Sequence, residues 1–279
     1  MSKNRGLRIL LAAIVLLSLP IIARPARAQV TAGAVVRIMP FGDSITSSVG
    51  VDWPSGPPQA SYRYWLDHDL HNNLLPFEFM GTRIDNYDGA PKYLDFDRHN
   101  DGWSGFTTGY FLDGIHDTDM NTILSSDRYG TTEPNVPDIV LLHLGTNDVY
   151  QGIATNTSKE NLSKIIDEFR LANPNVVILL AKIIPCDPTH ALGPNCNNIP
   201  TFNNMIPTLA SAKTKTQSPV IVVDQYTGFD ATAGTDTYDG VHPNQSGEIK
   251  MANKWLAAIL AWWNQTHSHV FVPIILVPV

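Results

Sequence analysis

The sequence predicts an α/β fold: a three-layer α/β/α sandwich built on a flavodoxin-like, parallel, five-stranded sheet. Three observations carry that expectation. Short apolar, β-branched runs alternate with stretches of helical periodicity. The later runs are continuously apolar rather than apolar on alternate residues, as strands covered on both faces are. Polar, glycine-bearing turns follow the first and third runs, at the edge where open α/β sheets hold their ligands.

The strands are expected at Val35–Met39, Phe77–Met80, Asp138–His143, Val176–Lys182 and Val220–Asp224. A helix should cover Tyr62–Leu70 and a ragged one Thr107–Ile115. The clearest runs from about Ser158 to Ala172, with Leu162, Ile165, Ile166 and Phe169 on one face, and Asn173-Pro174 ends it. Phe202, Ile206 and Leu209 suggest another, which Pro207 should kink or break into short pieces. The last helix should start at Ser246 as N-cap, turning Ile249, Ala252, Leu256, Ile259 and Trp263 inward.

The ends of the chain differ from its middle. Lys3, Arg5 and Arg8 precede an apolar stretch, Ile9 to Ile22, and Ala26-Arg27-Ala28 offers a small-x-small cleavage site. Residues 1–28 therefore read as a secretory signal peptide, with an uncleaved membrane anchor as the alternative. Residues 29–265 form one domain, large enough for a full core. The apolar tail, residues 266–279, is too short to span a bilayer and is expected to pack as a strand or to mediate association. The mature chain is expected to be secreted, with no membrane span.

Loss of residues 1–28 removes Lys3, Arg5, Arg8, Arg24 and Arg27 and no acid, which takes the net charge from −7 to −12. Such a surface repels nucleic acid and anionic membrane and suits a neutral substrate. Cys186 and Cys196 share one Pro/Asn-rich loop; after export a disulfide is expected in preference to two free thiols. Two cysteines do not by themselves supply the ligands of a zinc site. The run Asp95 to Asp101 lacks the spacing of a calcium loop and reads as a solvated acidic loop. Neither a metal nor any other cofactor is expected.

Chemistry concentrates in four short blocks. Gly42-Asp43-Ser44-Ile45 holds a serine on a tight turn after the first strand. Gly102-Trp103-Ser104-Gly105 and Gly145-Thr146-Asn147-Asp148 each offer a hydrogen-bond donor. Asp239-Gly240-Val241-His242 sets a carboxylate and an imidazole three residues apart. Nucleophile, base, orienter and oxyanion donors are what acyl transfer needs. A serine after Gly-Asp is common turn chemistry on its own; four blocks in this order say far more.

Together the blocks resemble the SGNH (GDSL) hydrolase family, over about residues 35–263. That family is named for a Ser, a Gly, an Asn and a His, which fall here on Ser44, Gly105, Asn147 and His242, with Asp239 completing the triad. The resemblance implies the SGNH hydrolase fold and a carboxylic ester hydrolase. In it Ser44 attacks, His242 carries the proton and Asp239 orients the imidazole. The N–H groups of Ser44 and Gly105 and the Asn147 amide would form the oxyanion hole. Asp43 reads as a turn cap, Asp148 as a brace for Asn147, and His143 as a core residue.

Further likeness is to the acetylxylan esterases of carbohydrate esterase family 3. It lies in Arg37–Ser44 (RIMPFGDS), Ser61–Leu66 (SYRYWL), Phe79–Thr82 (FMGT) and Asp101–Gly105 (DGWSG). It implies release of short acyl groups, O-acetyl above all, from carbohydrate. Trp53 and Trp103, with Tyr87 and Tyr93, could stack on a sugar ring, although large aromatics also serve cores. Trp103 and Phe106 depart from the histidine and the polar residue common there, which bears on the shape of the acyl pocket. A broad lipid esterase or lysophospholipase, and a non-catalytic glycan-binding protein, are the alternatives.

Overall fold

A computed structural model describes residues 35–48, 59–86, 89–116, 118–189 and 193–266. The segment expected to be a signal peptide, the tail from residue 267, Trp53 and Tyr87 lie outside the described residues.

The first strand, β1 (Val36–Gly42), leads into a four-residue helix, α1 (Ser44–Ser47). There follow α2 (Tyr62–Asn72), β2 (Phe77–Phe79), β3 (Asp101–Gly102), α3 (Met120–Ser125), β4 (Ile139–His143) and α4 (Thr146–Tyr150). The described residues end with α5 (Thr155–Ala172), β5 (Val177–Lys182), α6 (Ile199–Lys213), β6 (Val220–Asp224) and α7 (Gln245–Thr266). The five expected strands form a parallel sheet in the order β2-β1-β4-β5-β6.

A sixth strand, β3, was not anticipated. Its two residues pair with the end of β1, Phe41 with Asp101 and Gly42 with Gly102. Pro40 has no N–H to give a ladder. It falls in the gap between the last β2 pair, at Ile38, and the first β3 pair, at Phe41.

Alternation along the strands divides the core into two layers. Met39, Phe41, Val140, Leu142, Ile178 and Leu180 point to α3, α5 and α6. Ile38, Ile139, Leu141, Val177 and Leu179 point to α2 and α7.

Four helix expectations need correction. Thr107–Ile115 is a series of turns; the Thr108 N–H and hydroxyl both go to the Asp148 carboxylate instead of into a helix. The helix through Pro207 is unbroken over fifteen residues, docked by buried Phe202, Ile206 and Leu209 and by Asn203, whose amide exchanges hydrogen bonds with the Ile183 backbone. α5 begins at Thr155, three residues before Ser158. The cap of α7 is Asn244, whose Oδ1 accepts from the N–H groups of Ser246 and Gly247; Ser246 Oγ turns to Asp236. Ile249 is only half-buried on that helix, and Met251 and Trp255 fill the core.

Candidate active site

The sheet register assembles the site. Gly102, Gly42 and His143 lie side by side at the carboxyl ends of β3, β1 and β4. Ser44, Gly105 and Asn147 follow two, three and four residues later, on strands about 4.8 Å apart. Gly42 has to be glycine, because a Cβ there would meet the His143 carbonyl at 2.0 Å.

Asp43 caps α1, its Oδ1 accepting from Ile45 N–H at 3.0 Å, so Ser44 is the first helical residue. The N–H of such a residue has no acceptor within its helix. Burial pushes the Asp43 carboxyl up to about 7.

Asp239 organises its own loop. Its Oδ1 accepts from the N–H groups of Val241 and His242, at 2.9 and 2.7 Å, and its Oδ2 lies 2.7 Å from His242 Nδ1. His242 Nε2 then stands 2.9 Å from Ser44 Oγ. A carboxylate against Nδ1 favours the tautomer that leaves Nε2 free to accept the serine proton. Burial raises the Asp239 carboxyl, but hydrogen bonds from the His242 ring and backbone outweigh it and hold the group below the usual carboxylate range.

Residues not singled out from the sequence fix this loop. Thr237 Oγ1 accepts from Gly240 N–H at 2.9 Å, and Asp187 N–H donates to the Gly240 carbonyl at 2.7 Å. The Tyr238 ring lies nearly parallel to the imidazole, 5.8 Å away. Tyr238 stood beside a named motif, whereas Asp187 reaches it only through the fold.

Gly105 is exposed at φ +80, a region that favours glycine. Its turn closes by Phe106 N–H to the Trp103 carbonyl at 3.1 Å, and Trp103 N–H continues the ladder to Gly42 O. Asn147 is half-buried, and its amide donates to the Phe106 carbonyl at 3.0 Å. Asp148 accepts from Thr108 and from Ser158 Oγ, tying α4 to α5 and to the 107–108 turn. His143 is wholly buried, accepts from Ile184 N–H, and has its pKa pushed down to about 4 by burial.

Trp103 is half-buried beside the site, with the Arg83 guanidinium 4.5 Å over its ring and Phe106 at 5.8 Å. Cys186 and Cys196 are joined as a disulfide in the loop after β5. Among the described residues no His, Cys, Asp and Glu side chains gather as a metal site, and no helix is long and apolar enough to cross a membrane. Two of the three carboxylates within Asp95–Asp101 are engaged, Asp97 by Arg128, His99 and Phe79 N–H and Asp101 by Thr82 and Asn135, while Asp95 is exposed.

Known proteins agree with this architecture. The chain is 31% identical over 237 residues to a multidomain esterase of Ruminococcus flavefaciens, covering 82% of this chain and 29% of that protein. It thus spans less than a third of that curated relative. Among solved structures, it resembles a family 3 carbohydrate esterase from Clostridium thermocellum at 28% identity and a TM-score of 0.60, covering 80% of this chain and 94% of that one. A carbohydrate esterase family 3 structure from Talaromyces cellulolyticus shares the fold at 24% identity and a TM-score of 0.64, covering 83% and 99%. The family model of GDSL-like lipases and acylhydrolases matches residues 41–248. A parallel sheet flanked by helices, with that match across most of its length, makes this chain a member of the GDSL-like lipase/acylhydrolase family of carboxylic ester hydrolases.

Proposed function

We propose that this chain is an exported serine esterase that removes short acyl groups, O-acetyl above all, from carbohydrate such as acetylated xylan. The observation that carries the reading is the 2.9 Å approach of Ser44 Oγ to His242 Nε2, with Asp239 on the far ring nitrogen.

The chemistry follows in two halves. Ser44 Oγ attacks the ester carbonyl while His242 Nε2 takes its proton; the tetrahedral oxyanion is received by the N–H groups of Ser44 and Gly105 and by the Asn147 amide. His242 then gives the proton to the leaving sugar hydroxyl, and an acyl-enzyme remains. Water, deprotonated by the same imidazole, releases the acid and restores Ser44. Asp239 stays ionised and stabilises the imidazolium formed in each half.

Substrate class is argued from the surroundings. Trp103 and Phe106 flank Gly105 with large rings, and we read them as the wall that keeps the acyl group short. The strongly acidic mature chain favours a neutral polymer, and the relatives named as carbohydrate esterases support the same class. Export rests on residues 1–28, which have the composition of a signal peptide.

The test is acetate release from acetylated xylan and from p-nitrophenyl acetate by the wild type and by Ser44→Ala. Release from both, abolished by the substitution, is expected. A marked preference for octanoyl over acetyl esters would replace the carbohydrate with a lipid substrate.

A further inference from the structure

A cavity lies beyond the carboxyl ends of β5 and β6, outside the triad. Its volume is about 520 Å³, within the range of roughly 300–1,000 Å³ usual for small-molecule sites. One wall is Pro185–Pro188, which carries the disulfide cysteine; the other is Tyr226–Thr232.

Both walls are held firmly. The Asp224 carboxylate accepts from the N–H groups of Tyr226 and Thr227 and from the Thr227 hydroxyl. Lys254 and Lys250 bind the Thr227 and Gly228 carbonyls, and Asp230 N–H donates to Asp236. A site fixed in advance loses little entropy on binding.

Both walls also reach the same residue of the catalytic loop. Asp187 N–H donates to the Gly240 carbonyl at 2.7 Å. From the other side, Thr237 Oγ1 accepts from Gly240 N–H and donates to the Ala231 carbonyl at 2.7 Å. The cavity therefore backs onto the loop that holds His242. On the function proposed above, His242 gives its proton to the leaving alcohol, so the alcohol half of the ester belongs on this side of Ser44.

The lining defines the ligand. Tyr226 is half-buried, and its hydroxyl takes no hydrogen bond among the described residues. Asp187 and Asp230 supply carboxylates, and the Thr232 N–H holds the Asp230 carboxyl below its ordinary range. Among the described residues no Lys, Arg or His lines the cavity, which disfavours an anion. An aromatic face with surrounding acceptors and no cation suits an uncharged polyhydroxy ring. We propose that this cavity is a subsite for a neutral sugar unit of the polysaccharide, next to the acylated one.

The test uses unacetylated xylotetraose as the probe, titrated calorimetrically into the full chain carrying Ser44→Ala. Binding is expected, and Tyr226→Ala should weaken it about tenfold, while Tyr226→Phe, which keeps the ring, retains most of it. Thr232→Trp, on the exposed rim, should fill the cavity and weaken binding to a similar degree without disturbing the core. With Ser44 intact, the two weakening variants, Tyr226→Ala and Thr232→Trp, should hydrolyse p-nitrophenyl acetate at the wild-type rate. No binding by the parent, unchanged binding in both variants, or equal losses on probe and small ester would overturn the subsite. Normal probe binding without acetate release from xylan would instead sink the substrate reading and leave the subsite standing.

Discussion

Asn147 donates one amide hydrogen to the Phe106 carbonyl, and no described acceptor takes the other. The first bond fixes the rotamer; the second hydrogen is the one available to a developing oxyanion. A donor of this kind matters more to the transition state than to bound substrate, because full charge exists only there. Asn147→Ala is therefore expected to lower kcat on p-nitrophenyl acetate by about 100- to 1,000-fold with KM little changed. Steady-state kinetics checks it: an unaltered kcat would remove Asn147 from the oxyanion hole, and a rise in KM alone would make it a binding residue. Gly105 offers only a backbone N–H, which proline alone would remove, and its φ of +80 does not allow proline, so Asn147 is the donor that mutation can reach.

α1 is four residues long, too short to hold itself by its own hydrogen bonds. Arg63, wholly buried near the start of α2, supplies what it lacks. Its guanidinium donates to the Thr46 and Ser47 carbonyls at the end of α1, and to Ser61 Oγ, Asn86 Oδ1 and the Arg98 carbonyl. A cation at the carboxyl end of a helix also suits its dipole. Arg63→Met should cost roughly 3 kcal/mol or more in urea unfolding, by leaving buried carbonyls unpaired, and should lower kcat because Ser44 rides on α1. Arg63→Lys should recover only part, since one ammonium cannot serve five separated acceptors. Nothing in the sequence near Arg63 announces this, because its partners lie up to 35 residues away. The strands β1, β4, β5 and β6 were legible, since continuous apolar runs mark a doubly covered sheet. The Asp239–His242 contact was legible too, being made within three residues of one turn. What escaped had no periodic signal: a two-residue strand, two short helices that carry Ser44 and Asn147, and the turns of 107–115 recruited by Asp148. The Asn244 cap escaped for another reason, because Ser246 two residues on is an equally good cap by residue type.

Charge and burial act across the whole molecule in opposing directions as pH changes. Glu248, on α7, is buried against the start of α2, where its oxygens accept from Ser61 N–H and Trp65 Nε1. Burial lifts its carboxyl from 4.5 to about 7. An acid whose folded pKa exceeds its unfolded one binds its proton more tightly in the fold. Its contribution to stability is thus fully present at low pH, declines between about 4.5 and 7, and is absent above. Asp43, also lifted to about 7, acts in the same sense, whereas Asp239 and Asp236, held low by their partners, favour the fold as pH rises. Glu248→Gln removes one titration without changing shape. The substitution turns an amide toward the Trp65 indole, an offset that is the same at every pH. Against that constant, the variant should gain on the wild type by roughly 3 kcal/mol between pH 4.5 and pH 8, read from urea unfolding at the two ends. A gap that stays constant would mean that Glu248 titrates alike in folded and unfolded chains. On the mechanism proposed above, turnover needs a base free to accept the Ser44 proton, a requirement in which Glu248 has no part. Glu248→Gln should therefore leave the pH profile of kcat in place while extending the alkaline range in which the enzyme survives heating.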